Sequence, residues 1–144
     1  MKKLHQMLDL HVANFSVLFT KLHHFHWFVE GPQFFALHAK FEELYDHVNE
    51  LYDAFAERLI TLGGRPGSTL KEYLAKATIK EHQGEATPAA MVKALIADME
   101  TIVGDLKALT SEAQKDGDEA TADLAIGTIG AFEKTLWMLK VTAK

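Results

Sequence analysis

The run from Phe34 to Leu62 sets the organisation of the chain. Leu37, Phe41, Leu44, Val48, Leu51, Phe55, Leu59 and Leu62 recur there every three or four residues, the period of an amphipathic helix. No proline or glycine interrupts the run, which predicts a helix of about 43 Å at roughly 1.5 Å per residue. A second, polar line runs along the same helix: His38, Glu42, Asp53 and Glu57. With His38 as zero and about 100° per residue, these point to about 0, 40, 60 and 100°, while the apolar line centres near about −100°. The imidazole and carboxylates therefore face away from the core that this helix helps to build.

The same periodicity predicts three more long helices. Leu4, Leu8, His11, Phe15, Leu18, Leu22 and His26 mark a first helix from residue 4 to about 29, ended by Gly31-Pro32. Gly63-Gly64 and Pro66 stop the second helix. Thr69 and Glu72 form a capping box that opens a short helix through Ala77. Residues 79–86 read as loop. Thr87-Pro88 then caps a third long helix carrying Met91, Leu95, Met99, Ile102, Leu106 and Leu109. Asp116-Gly117-Asp118 breaks it, and a fourth helix runs from about Glu119 to Val141. The expected fold is all-α: a ferritin-like four-helix bundle, with a short extra helix in the crossover between the second and third helices. Residues 1–144 make one domain, with no repeat or linker.

Composition narrows the chemistry. There is no cysteine among the 144 residues, so any metal must be held by nitrogen and oxygen. Eight histidines are many for this length and require an account. A net charge of −5 argues against tight, sequence-independent binding of nucleic acid by the body of the protein. The N-terminal stretch lacks a long apolar run or a cleavage site, so the expectation is a cytoplasmic protein without membrane span.

The polar line on the second helix accommodates ions in two places. His38 and Glu42 are four residues apart, as are Asp53 and Glu57, so each pair can share an ion. Glu42 and Asp53 are separated by a rise of about 16 Å, so one ion cannot touch both pairs on one straight helix. The pairs are, however, symmetric about residues 47 and 48. Two copies crossing antiparallel on a twofold axis there would set His38 against Glu57 and Glu42 against Asp53. Tyr45, Asn49 and Tyr52 lie between the pairs, and aromatics suit a buried interface. The competing reading is a solvated charged face, with Glu57 paired to Arg58 or another cation.

The other histidines divide by position. A short turn at residues 30–33 brings His26 near His38 and Glu42, where it is either a ligand or an interior histidine. His11, in the apolar line, reads as a hydrogen-bonded core residue. His5, His23 and His24 read as exposed or capping groups, and His47 as a surface partner of Glu43 and Glu50. Glu81, His82 and Glu85 could bind an ion, but a solvated loop is the simpler reading. The chain contains no Glu-x-x-His, the motif with which di-iron bundles line their own cores. Metal chemistry in this bundle therefore needs a place outside its core.

The run His26-Trp27-Phe28-Val29-Glu30-Gly31-Pro32-Gln33-Phe34-Phe35-Ala36-Leu37-His38, followed by Lys40-Phe41-Glu42-Glu43-Leu44-Tyr45 and by Asp53 and Ala56-Glu57-Arg58-Leu59, resembles the Dps family, the mini-ferritins. Gly117-Asp118-Glu119-Ala120-Thr121-Ala122-Asp123 and Leu136-Trp137-Met138-Leu139 extend the resemblance over nearly the whole chain. It implies a homo-oligomeric shell, a hollow dodecamer, in which ferrous iron is oxidised and stored as ferric mineral. It implies ferroxidase sites at twofold interfaces that take up to two irons. His26, His38 and Glu42 would come from one subunit, Asp53 and Glu57 from its partner. Residue 42 is Asp in some relatives, and the longer Glu bears on the second metal position. Glu119 and Asp123, with Asp116, would line iron-entry pores; helix-dipole stabilisation is the simpler alternative. Hydrogen peroxide is the expected oxidant, protection against oxidative stress the expected role, and Trp27 an expected electron donor or packing residue. Zinc and manganese suit the same ligands. Only Lys2 and Lys3 precede the first helix and only Lys140 and Lys144 end the chain, so DNA binding is expected to be weak or absent. The alternatives are a non-catalytic nucleoid-associated shell that protects DNA by coating it, and a plain helical oligomer with structural interface charges.

Overall fold

The computed structural model describes residues 2–144 and contains five helices: α1 (Lys3–Phe28), α2 (Phe34–Thr61), α3 (Leu70–Lys76), α4 (Pro88–Lys115) and α5 (Glu119–Thr142). No strand occurs among the described residues. The helices α1 and α2 form one antiparallel pair and α4 and α5 another, with α1 also packed on α4 and on α3. This is the ferritin-like arrangement, with α3 riding in the crossover. No described helix is long and apolar enough to cross a membrane.

Local chemistry ends each helix where the pattern indicates. Gly63 follows α2 with φ +88°, and its N–H bonds the Ile60 carbonyl while that of Gly64 bonds the Leu59 carbonyl. Gly117 repeats this after α4 with φ +72°, its N–H on Gln114 and that of Asp118 on Ala113. A side chain at either glycine would be strained, because L-residues seldom adopt this left-handed backbone. Thr69, Thr87 and Asp118 each accept a backbone N–H at the start of α3, α4 and α5.

Phe15 of α1, Phe55 of α2 and Phe132 of α5 meet at the centre. The Phe15 ring lies edge-on at 5.1 Å from Phe55 and 6.3 Å from Phe132. Five polar residues of α1 are also buried, and three of them fasten the crossover. Asp9 accepts from Gly67 N and pairs with Lys76 at 2.6 Å. Asn14 bonds Thr78 and Ile79 through its amide. Lys21 donates to the Lys80 carbonyl at 3.0 Å and pairs with Asp98 of α4 at 2.8 Å. Segment 78–80 is thereby laid along α1 in the direction of the helix.

His11 departs from expectation. It is 1% exposed and packs on Phe15 and Phe55, but neither ring nitrogen has a hydrogen-bond partner among the described residues. Burial drives its pKa from 6.5 down to about 4, which the neighbouring Asp105 backbone offsets only in part. The folded chain thus holds His11 neutral, while the unfolded chain takes up a proton near pH 6.5. Its stability is complete above that value and falls as pH drops towards 4, by roughly 3 kcal/mol. The variant His11→Leu should lack this decline. Denaturant unfolding at pH 7 and pH 4 is expected to show wild type losing about 3 kcal/mol more than the variant. Equal losses would contradict the assignment.

Candidate metal centre

The turn at residues 29–33 folds the end of α1 onto the start of α2, and two histidines lock the junction. The rings of His26 and His38 stack at 3.7 Å with 13° between planes. The Nδ1 of His26 lies 2.7 Å from the His38 carbonyl oxygen, and the Nδ1 of His38 lies 2.7 Å from that of His26. A carbonyl only accepts, so each Nδ1 must carry the hydrogen. The tautomer follows from the network: in the neutral rings each Nε2 keeps a free lone pair, the state a metal ion requires. Phe34 stacks on the other face of His38 at 4.8 Å, and Tyr45 stands edge-on to His26 at 5.3 Å. His26 is 7% exposed, so its ring has little freedom.

Glu42 lies one turn beyond His38. Its Oε1 is 3.7 Å from His26 Nε2, so a carboxylate and an imidazole lone pair face the same small volume. The structure thus brings His26 against both His38 and Glu42, without setting all three round one point. It leaves Asp53 and Glu57 further along α2, exposed to solvent. Neither carboxylate has a cation or donor partner among the described residues. The pairing of Glu57 with Arg58 does not form: Arg58 donates instead to Asp118 and Thr121, both at 2.9 Å. Within one chain, no three His, Asp or Glu side chains among the described residues are placed to hold an ion together. The two half-sets remain apart, as the rise along α2 requires.

The remaining candidates lie elsewhere. Trp27 is 63% exposed and touches His23, 5.4 Å between ring centres. Asp116, Glu119 and Asp123 are exposed around the corner between α4 and α5. Asp118, which periodicity did not single out, is the structural residue of that corner. Burial disfavours its charge, but hydrogen bonds from Thr121 and the Arg58 guanidinium outweigh burial and hold its carboxyl below the usual range. The Asp118-x-x-Thr121 spacing is an N-cap signal that sequence can supply; the bond from Arg58, sixty residues away, is not. His47 is also corrected: it packs on Phe132 at 6.2 Å and forms no ion pair with Glu43 or Glu50. His23 bonds the Phe19 carbonyl and stacks on Tyr45 at 3.7 Å, which extends the aromatic packing behind His26.

Comparison with known proteins places this geometry among relatives. The sequence pattern of the ferritin-like domain matches residues 5–144. The chain is 46% identical over 139 residues to DNA protection during starvation protein 2 of Bacillus anthracis, covering 96% of this chain and 95% of that one. The crystal structure of a Dps protein from Bacillus brevis superposes with a TM-score of 0.95 at 42% identity, over the whole of both chains. A Dps protein from Vibrio cholerae O1, described as a member of a broad superfamily of ferritin-like diiron-carboxylate proteins, gives 0.95 at 34% identity, covering 99% of this chain and 89% of that one.

The Asp118 corner generates a prediction. Asp118→Ala removes a helix cap and the partner of Arg58 together, and should lower stability by about 1–3 kcal/mol. Asp116→Ala, exposed and without such partners, should stay within about 0.5 kcal/mol of wild type. Thermal unfolding of both variants at neutral pH measures the difference.

Proposed function

This chain belongs to the Dps family of ferritin-like proteins, and we propose that it is a ferroxidase and iron store whose sites are shared between two subunits. The observation that carries the proposal is the reciprocal clamp of His26 and His38. Two backbone carbonyls take the Nδ1 hydrogens and leave both Nε2 lone pairs for an ion. A pair of neutral imidazoles with carboxylates suits first-row divalent ions, iron included, and leaves coordination positions free. The anionic donors favour the ferric over the ferrous state.

In this reading ferrous iron is a substrate. His26, His38 and Glu42 of one subunit bind it together with Asp53 and Glu57 of a second copy crossing on a twofold axis near residues 47 and 48. The unpaired state of both carboxylates supports it, since neither has a cation to leave. Each of two ferrous ions gives one electron. Hydrogen peroxide takes both, its O–O bond breaks, and its oxygens enter ferric oxyhydroxide with two waters, releasing four protons. Taking both electrons together avoids one-electron cleavage of peroxide to hydroxyl radical. Trp27, next to His26 in sequence and open to solvent, would supply an electron when only one is available. The product collects inside a closed dodecamer, with Asp116, Glu119 and Asp123 at the iron entries.

Protection of DNA then comes from removing iron and peroxide rather than from coating. The chain carries a net charge of −5 with every lysine counted, which opposes binding to a polyanion. A mobility-shift assay should show no retention at about 150 mM salt, and tight, salt-resistant retention would favour the coating shell instead.

The catalytic reading is tested by adding ferrous iron without oxygen, then peroxide, and following ferric absorbance. His38→Ala and Asp53→Ala should each slow oxidation by about tenfold or more at intact secondary structure. Oxidation at the wild-type rate in both variants would exclude the assigned site.

A further inference from the structure

A second pair of histidines lies outside the site assigned to iron. The crossover follows α1 through successive contacts: Asn14 holds residues 78 and 79, and Lys21 holds the carbonyl of Lys80. The next contact sets His82 against His24, one turn further along the same face of α1. Their rings are 3.6 Å apart with only 2° between planes. Phe28 packs on His24 at 5.0 Å and helps to fix its ring.

The first two contacts are hydrogen bonds; the third is not. Among the described residues, none of the four ring nitrogens of His24 and His82 makes a hydrogen bond, so both rings keep their donor and acceptor edges open. A carboxylate lies on the same loop. Glu85 stands three residues beyond His82 and is partly buried in an otherwise exposed segment. One of its oxygens accepts from Gln83 N at 2.8 Å, which folds the carboxylate back into the loop and leaves the other free.

We infer that His24, His82 and Glu85 form a divalent-metal clasp, of the kind that takes zinc or copper, which fastens the crossover to α1. Two imidazoles and a carboxylate with an open fourth position suit such an ion. Metal–nitrogen bonds of about 2 Å lie in the ring planes, so the exposed His82 ring must turn well out of the stack and the Glu85 side chain must turn inward. No three such side chains are yet placed round one point, so the ion itself draws in the third. His24 and His26, two residues apart on α1, point to nearly opposite faces. The clasp therefore neither shares a ligand with the iron reading nor depends on it.

The test adds zinc, equimolar to chains, to the assembled protein and locates it by anomalous diffraction at the zinc edge, with affinity from calorimetry. Wild type should show an ion bound by His24 and His82, and hydrogen exchange in residues 78–87 should slow when zinc is present. His82→Phe keeps a stacked ring without a ligand; it should lose that ion and bind zinc there at least tenfold more weakly. It should oxidise iron at the wild-type rate. Absence of the zinc peak in wild type, or its survival in His82→Phe, would overturn the clasp.

Discussion

A metal ion bound through nitrogen and oxygen reaches only about 2 Å to each donor, whereas one helix separates Glu42 from Asp53 by about 16 Å. That mismatch governs how α2 can be used. The helix carries His38 and Glu42 towards one end of its outer face and Asp53 and Glu57 towards the other, too far apart for one ion. In the proposed function, self-complementarity on a twofold axis would remove the mismatch without a new residue, because each half-set would find its complement in another copy. The bundle's own core stays apolar at its centre, where Phe15, Phe55 and Phe132 interlock.

In the same reading, the hairpin of α1 and α2 prepares one half-set. Gly31, at φ +105°, and Pro32 turn the chain within a few residues, and the turn sets the His26 ring face to face with His38. Each histidine then spends its Nδ1 hydrogen on the other's backbone. The same bonds that close the turn fix the tautomer with a free Nε2, so in the proposed function local folding would also prepare the ligands. The other half-set, Asp53 and Glu57, stays unpaired because Arg58, the nearest cation in sequence, is drawn away to Asp118. A salt bridge at the α5 corner thus leaves Asp53 and Glu57 without a counter-charge.

Much of this was legible in sequence because it is periodic or local. The apolar steps of α2, the Thr69 and Thr87 caps and the glycine stops gave helices whose ends agree with the structure to within a few residues. The approach of His26 to His38 followed from the shortness of the turn. What was not legible depends on partners distant in sequence. Asp9, Asn14 and Lys21 lie inside an apolar helix face and find their partners about sixty residues later, in a crossover with no periodicity. The lack of any partner for His11 has the same origin: sequence shows an imidazole in a core but not what surrounds it. Spacing points His47 to acidic neighbours one turn away, yet the Phe132 ring of α5 packs against it.

The central claim is that each iron site is divided between two chains, and mixing two defective chains tests it most directly. His38→Ala and Asp53→Ala subunits are unfolded together and reassembled, beside each variant alone. In a mixed dimer one site receives both defects and the other receives neither. Random pairing makes about half of the dimers mixed and so restores about a quarter of the wild-type ferrous oxidation rate. Recovery near that level is the predicted result. A mixture no more active than the separate variants, with mixed dimers demonstrably present, would mean that the ligands do not come from two chains.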